Sequence, residues 1–366
     1  MVVIDVLGEV PDPRGYNSQH ALTDVLFVAL AAVLCGAVHC TEMAMFAETR
    51  LALLRQFVPL EKGAPSHDTF TRVLGALDPQ AFNAAFQRFM AAFGDQARAD
   101  TGGQVAVDGK SLRRAYDKGR SHMPPLVVTA FDCETFMSLS QVVAQAGGEA
   151  EAAIAALHLL SLKGCTVTAD ALHCHRRMTR TVRDGGGHYV LAIKGNQAKL
   201  AREAQAVLDK AQANPRTPIG ETEDRGHGRH EVRRAIVAPF AQTPGKTALI
   251  DLVAVARVES WRTTGETTTH NVRTYALSRR MAPTEVLRAV RRHWAIENDL
   301  HWQLDVLMAE DQTRNRKNNG PANLAVLRRL ALNVLRSDPA KIPLSHKRLK
   351  ARWASEDLLS LMTHMR

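Results

Sequence analysis

At 366 residues the chain is long enough for two domains, or for one domain with a large insertion, so burying a core is not limiting. A hydrophobic share of 45% excludes a disordered chain, and the net charge of +10 is unevenly spread. Residues 1–100 carry 7 Lys/Arg against 11 Asp/Glu, whereas from residue 312 onward there are 12 Lys/Arg and 3 Asp/Glu. That density suits a polyanionic partner, and equally a solvated basic face. The five cysteines (Cys35, Cys40, Cys133, Cys165, Cys174) are odd in number and form no CxxC pair, which argues against a disulfide framework and for a reducing cytoplasm.

The elements are read in chain order. The most apolar run, Val25 to Val38, is 14 residues long and follows Asp24. It is too short to span a bilayer and has no basic segment before it, so a buried core helix is expected and a membrane partner is not. Residues 18–58 and 68–90 carry apolar residues at helical spacing, with Ser66 or Asp68 as a cap and Asp78-Pro79 as a break. An all-helical domain is therefore expected over 1–100, for recognising a partner, dimerising or covering the core. The pattern changes at Gly102-Gly103, where QVAVDGK, PLVVTAFD and FMSLSQVVA read as three strands. GGEAEAAIAALHLLSLKG then reads as a helix, CTVTADAL as a buried strand, CHRRMTRTVRDGG as a basic helix and HYVLAIKG as a strand. Three strands followed by alternating helix and strand predict an α/β fold, a mixed sheet covered by helices in the order of a ribonuclease H-like core. After a further helix, a Pro- and Gly-rich stretch (ANPRTPIGETEDRGHGRH) reads as a loop. VRRAIVAPF, ALIDLVAVARVESW and THNVRTYALS read as the strands of a β-rich insertion at about 218–278, within a core domain of 101–310. The stretch from Thr284 to Asp311 has helical spacing throughout, and LAVLRRLALNVLRS resumes as a helix in a basic C-terminal region of 311–366.

Three acids carry the chemistry. Asp108 ends the first core strand just before Gly109, and Asp170 ends the fourth. In a sheet of this order the first and fourth strands can lie side by side, which brings two hard oxygen ligands together in a way that suits Mg²⁺. Singly, each would be an ordinary turn or cap residue. A third carboxylate is expected from a helix on the same edge, and Glu297 stands there among Trp294, Ile296 and Leu300. The lesser alternative is a buried ion-pair partner of an arginine such as Arg113. Asp305, Glu310 and Asp311 compete, Asp305 at roughly 12 Å and Asp311 at roughly 21 Å along a continuous helix. Two Mg²⁺ ions about 4 Å apart at such a centre activate a water or 3′-hydroxyl and stabilise the leaving oxygen of a phosphodiester.

Longer motifs carry a resemblance: DPRGYNSQHALTDVLFVALAAVLCG, DTFTRVLGALDP, VAVDGKSLRRAYD, KGCTVTADALHCHRRM, HYVLAIKGNQ, RTYALSRR and RRHWAIENDLHWQLDVLMAEDQTRNR. In these, and in their order, the chain resembles the DDE transposases of bacterial insertion sequences, in particular the subgroup that includes the H-repeat-associated proteins. The resemblance implies a ribonuclease H-like fold with a β-rich insertion before the glutamate helix. It makes Asp108, Asp170 and Glu297 the catalytic, metal-binding triad for two Mg²⁺ or Mn²⁺ ions, and it implies cleavage and strand transfer of double-stranded DNA by a homodimer or higher multimer. Related transposases place a Tyr and an Arg before the glutamate and a Lys after it; here those positions are Val290, His293 and Leu304. That departure leaves open how the second strand is processed.

Further residues divide between function and structure. Lys110, Arg113 and Arg114 follow Asp108, while Lys194, Asn196 and Gln197 follow the last core strand, so both groups are expected to face the catalytic edge and contact phosphates. His293 is a candidate phosphate contact in place of the Arg, and His173 is expected to orient Asp170 or touch a phosphate. Arg176, Arg177, Arg180 and Arg183 fit a solvated face, Trp294 and Trp302 fit packing of the glutamate helix, and LSHKRLKARW fits nonspecific DNA affinity. The rival readings are a nuclease of the same fold that cuts without joining and a DNA-binding protein with a dead site.

Overall fold

A computed structural model of the chain describes residues 2–98, 103–116, 124–144, 148–226, 228–242, 245 and 248–364. Expectations that fall on Gly102, Asp117 and Gly147 lie outside the described residues. Six helices come first: α1 (Val2–Gly8), α2 (Leu22–Leu34), α3 (Cys40–Thr49), α4 (Leu51–Leu54), α5 (His67–Ala76) and α6 (Pro79–Arg98). The apolar run forms α2, buried along nearly its whole length. Ser66 caps α5 by accepting a hydrogen bond from the Thr69 amide at 3.3 Å. The Asp78-Pro79 step separates α5 from α6, because the residue before a proline is driven out of the helical region.

The middle of the chain alternates strands and helices: β1 (Gln104–Ser111), β2 (Leu126–Asp132), β3 (Ser138–Val143), α7 (Gly148–His158), β4 (Thr166–Ala169), α8 (Arg176–Asp184), β5 (His188–Ile193) and α9 (Ala198–Ala213). A ribbon of β6 (Ile219–Gly226), β7 (Arg229–Pro239), β8 (Ala254–Thr264) and β9 (Thr267–Leu277) follows. Then come α10 (Pro283–His293), a π-helical turn (Ile296–His301), α11 (Trp302–Val306), α12 (Gly320–Ser337), α13 (Leu344–Trp353) and α14 (Ser355–His364). All nine strands join one mixed sheet in the order β3-β2-β1-β4-β5-β9-β8-β7-β6. Strands β1, β4 and β5 are parallel and the remaining pairings are antiparallel. The expected mixed α/β architecture is present, and β1 lies beside β4 with Val107 opposite Ala169.

Strand alternation assigns the two faces of β1. Val105 and Val107 pack with Leu157 of α7, Met178 of α8 and Leu200 of α9. Ala106 belongs to the opposite layer, with Ile296, Leu300 and Leu304. The same layer holds α2, α5 and α12, so the N-terminal helices and the C-terminal region share one core.

Three expectations are corrected. The Pro- and Gly-rich stretch after α9 contains the edge strand β6, so the ribbon has four strands rather than three. Of β6 only Gly220 is buried, which leaves no apolar alternation in its sequence; its ladder to β7 holds it. The helix expected from Thr284 to Asp311 is interrupted by the π-helical turn and stops at Val306, and Ala309 (φ 50°) turns the chain back. Distances along a straight helix therefore do not apply beyond that point. Finally, much of the C-terminal basic charge is structural. Arg328, Arg329 and Lys347 are buried, and Lys347 of the expected DNA-binding segment donates to Leu335 O at 3.2 Å.

Gly220 lets β6 lie on the start of α10: a Cβ there would come within 2.8 Å of the Thr284 amide nitrogen and 2.9 Å of Pro283. Gly220→Ala is expected to destabilise the protein by about 1–3 kcal/mol. Thermal denaturation checks this, and an unchanged midpoint would contradict the close packing of β6.

Candidate active site

Asp108 does not end β1 as expected, because antiparallel pairing with β2 carries the strand on to Ser111; it stands within β1 on the face that carries Ala106, one residue past the last pairing with β4, and the chain leaves β4 at Asp170. Asp170 caps the following 3-10 turn, its Oδ1 accepting from the Ala171 amide at 3.0 Å, so it serves as the cap residue considered from sequence and also faces the cavity. Glu297 comes from the π-helical turn that packs across the same face. Asp108, Asp170 and Glu297 line a single cavity of about 100 Å³, together with Thr168, Lys194, Arg273, Tyr275, His293 and Trp294.

A buried polar link fixes the glutamate segment to the strands. Gln104 Nε2 donates to Thr168 Oγ1 at 3.1 Å and to Ala289 O at 2.8 Å, and Thr168 Oγ1 lies 3.0 Å from His293 Nδ1. Strands β1 and β4 are thereby tied to the last turns of α10, immediately before Glu297. Burial drives the His293 pKa down to about 4, so the imidazole is neutral at pH 7 and acts as a hydrogen-bonding group rather than a cation.

The electrostatics of the cavity are those of crowded acids. The Asp108 pKa is raised to about 7, first by burial and then by the charges of Glu149, Glu297 and Asp170, against the lowering effect of a hydrogen bond from the Gly109 amide. Glu297 is raised by burial and by Asp170, and Arg273 lowers it. His301 Nδ1 lies 3.7 Å from Asp108 Oδ2, but burial, Arg329 and Lys110 push its pKa down to about 3, so it brings no compensating charge.

Glu149 is the acid that sequence reasoning missed. It stands in the first turn of α7, where an acid reads as a favourable partner of the helix dipole. A Cβ on Gly109 would meet its carboxylate at 2.8 Å. Gly109 is thus the local signal, a residue without a side chain next to Asp108 in β1.

The other expected site residues separate. Lys194 is 60% exposed and 3.8 Å from Asp170 Oδ1, at the cavity wall. Arg113 and Arg114 are exposed, and Arg113 Nε lies 3.3 Å from Asp311 Oδ2, so Glu297 is not its ion-pair partner. Lys110 is withdrawn from solvent between Asp305 (2.7 Å) and Asp311 (3.3 Å), which makes all three a structural cluster with no free ammonium for phosphate. Asn196 Nδ2 donates to Ala171 O at 2.7 Å and Gln197 Nε2 to Cys174 O at 2.9 Å; both brace the turn that carries Asp170. His173 is fully buried with Nε2 3.4 Å from Glu149 Oε1, out of reach of a phosphate. Arg177 pairs with Glu151 and Arg183 with Asp251, as befits a structural basic face. Trp302 is exposed rather than packed, whereas Trp294 lies under the Arg273 guanidinium, 4.9 Å from its ring centroid.

Among the described residues no three His, Cys, Asp or Glu side chains close around one point as a metal cage. Magnesium does not require one, since it is held by one or two carboxylates and completes its shell with waters and substrate phosphates. Hard oxygen donors, a crowd of acids around a largely buried aspartate and a small cavity fit such an ion.

A mixed sheet with acids converging from two neighbouring parallel strands, one acid within β1 and one just past β4, and from a covering helical turn defines a carboxylate centre on an α/β scaffold. Residues 72–334 match the family described as "Transposase DDE domain" and residues 4–90 the family described as "DDE_Tnp_1-associated". The chain belongs to the DDE transposase family. It is 31% identical over 368 residues to the "H repeat-associated putative transposase YhhI" of Escherichia coli (strain K12), covering 96% of this chain and 95% of that protein. It is 40% identical over 234 residues to the "Uncharacterized protein in dhlA 3'region" of Xanthobacter autotrophicus, covering 62% of this chain and 76% of that protein. A shorter match, 38% over 65 residues, is to the "Inactive transposase YbfQ" of Escherichia coli (strain K12), covering 18% of this chain and 77% of that protein. Family membership implies DNA binding and phosphoryl transfer with a divalent metal as general properties. No helix among the described residues is long and apolar enough to cross a membrane.

Proposed function

We propose that this chain is a transposase that cuts double-stranded DNA at insertion-sequence ends and joins the freed 3′ ends to target DNA, working as a homodimer or higher multimer. On this reading residues 101–310 are a ribonuclease H-like catalytic domain, with 218–278 as its β-rich insertion. Residues 1–100 and 311–366 flank it in sequence. The observation that carries the reading is the meeting of Asp108, Asp170 and Glu297, far apart in sequence, on one small cavity.

Asp108, Asp170 and Glu297 would hold two Mg²⁺ or Mn²⁺ ions, which when bound would supply activation of a water or 3′-hydroxyl and charge stabilisation of the leaving 3′-oxygen. Lys194, exposed at the cavity wall, supplies positive charge to the phosphate being attacked. Asn196 and Gln197 keep the Asp170 turn in place, and the Gln104–Thr168–His293 link keeps Glu297 over it. With His293 neutral and Leu304 fully buried, neither of these positions offers the cation carried by relatives with Arg and Lys.

The choice of third acid is tested by cleavage of a labelled insertion-sequence end in Mg²⁺. Glu297→Gln is expected to lower the rate by roughly three orders of magnitude, the scale of a lost metal ligand. Asp305→Asn is expected to retain most activity, because Asp311 still pairs with Lys110. The reverse outcome would move the third ligand to Asp305 and overturn the assignment.

A further inference from the structure

A hollow larger than the carboxylate cavity lies beside it, on the ribbon. One face of β6–β9 and the last turns of α10 enclose an open groove of about 840 Å³. Alternation sends Arg229 and Arg233 of β7, Ser260 and Arg262 of β8, and Asn271 and Arg273 of β9 to that face. The registers set Arg233 opposite Ser260 and Ser260 opposite Asn271, so polar groups run in rows across the strands. At its inner end the groove opens on the carboxylate cavity: Arg273, Tyr275, Trp294 and Glu297 border both.

The arginines of this face differ in what they have left to offer. Arg233 is buried and held by Asp224 and Glu231, each at 2.6 Å, so its charge is spent within the ribbon. Arg229 and Arg262 are exposed and make no ion pair with a described residue. Arg273 lies over Trp294 at the mouth of the cavity. The groove also carries Asp224, Glu231 and Asp299, but Asp224 and Glu231 are engaged by Arg233, and guanidiniums without an ion pair in a groove that ends at a phosphodiester-cutting centre match the backbone of a nucleic acid strand, since the planar fork of arginine suits phosphate. The neutral Ser260 and Asn271 between them add contacts to phosphate or sugar without fixing a base sequence.

We propose that this groove is the track for the DNA strand running on from the scissile phosphate, with Arg229 and Arg262 holding its backbone and the Arg273–Trp294 pair carrying the nucleotide next to the carboxylates. The proposal rests on the transposase reading above and adds to it a binding surface on the ribbon that the sequence did not disclose.

The test is fluorescence anisotropy of a labelled mixed-sequence duplex with a single-stranded 3′ extension, in EDTA, across a salt series, using the full chain. The double variant Arg229→Ala/Arg262→Ala is expected to bind at least about tenfold more weakly than wild type and to lower the slope of log K against log salt by about two. Arg229→Lys/Arg262→Lys is expected to recover the slope, which separates lost phosphate contacts from a damaged fold. Mn²⁺ binding followed by electron paramagnetic resonance is expected to match wild type in all variants, because neither arginine touches the three acids. Wild-type affinity and slope in the alanine variant would overturn the groove. So would a loss confined to Lys350→Ala/Arg352→Ala on α13. A wild-type protein that binds no DNA at all would overturn the transposase reading and the groove with it.

Discussion

Replacing Asp108 by asparagine is expected to abolish Mg²⁺-dependent DNA cleavage and, at the same time, to raise the thermal stability of the metal-free protein. The first effect is a loss of roughly three orders of magnitude or more, as for removal of a ligand at a two-metal centre. The second follows from the electrostatics of the cavity. The Asp108 carboxyl is held at about 7 in the fold against an ordinary value of 3.8. Between those values the unfolded chain gives up its proton while the folded one keeps it, so the fold loses stability as pH rises from about 4 to about 7 and stays at the lower level above. An amide carries no charge to repel. Asp108→Asn is therefore expected to gain about 1–3 kcal/mol at pH 8 and nothing at pH 3, a figure discounted because the carboxylate retains some solvent. Added Mg²⁺ is expected to raise the wild-type midpoint by mass action and the variant's much less. Below pH 7 protons compete for the same oxygens, so metal affinity falls as pH falls. Scanning calorimetry at the two pH values, with and without Mg²⁺, checks all of this; a variant less stable than wild type at pH 8 would contradict the crowding of acids.

The largest stability effect is expected at the buried pair behind that strand. Arg329 and Glu310 both have fully buried side chains, with Arg329 Nη1 donating to Glu310 Oε1 at 3.1 Å. Arg329 Nε also donates to Thr129 Oγ1 at 3.1 Å, and Thr129 is the β2 residue opposite Asp108. Arg329→Met leaves a carboxylate without its partner in a dry core and is expected to cost about 3–5 kcal/mol. Arg329→Met/Glu310→Leu, which removes both charges, is expected to recover most of that loss. Urea unfolding of the three proteins measures the difference. Equal destabilisation in the single and double variants would show that packing, not charge, makes the pair matter.

The central sheet was legible because its strands carry the pattern that burial imposes: Val105, Ala106 and Val107 fill both faces of β1, and Thr166–Ala169 is buried throughout. Asp108 and Asp170 were legible as acids following such runs, although β1 continues past Asp108 to Ser111 on its pairing with β2, and β1 beside β4 brings them to one cavity. Glu297 rested more on resemblance, because a π-helical turn shifts the phase of side chains in a sequence that still reads as helix. Strand β6 was hidden for the opposite reason, since Glu221, Thr222, Glu223, Asp224 and Arg225 face solvent and β7 alone gives the strand its form. The roles of Lys110, Asn196 and Gln197 depend on partners distant in sequence, Asp305 and Asp311 for Lys110 and the 171–174 turn for the amides. Nearness to a motif identified their neighbourhood and not their task. The groove arginines lie in a ribbon whose sequence motif drew attention only to RTYALSRR, and it takes strand register to bring Arg229, Arg262 and Arg273 onto one face.

The claim that the three carboxylates form a centre for both cutting and joining DNA is tested most directly by one strand-transfer reaction. Purified protein, Mg²⁺, a duplex carrying the end sequence that flanks the gene and 5′-labelled on the strand whose 3′ end is freed by cutting, and a supercoiled target plasmid are incubated together. The expected result is label joined covalently to the plasmid through the freed 3′ end of the labelled strand, dependent on Mg²⁺ and absent with Asp108→Asn, Asp170→Asn and Glu297→Gln. Label cut from the duplex but never joined to the plasmid, or joined equally well by the Asp108→Asn protein, would contradict it.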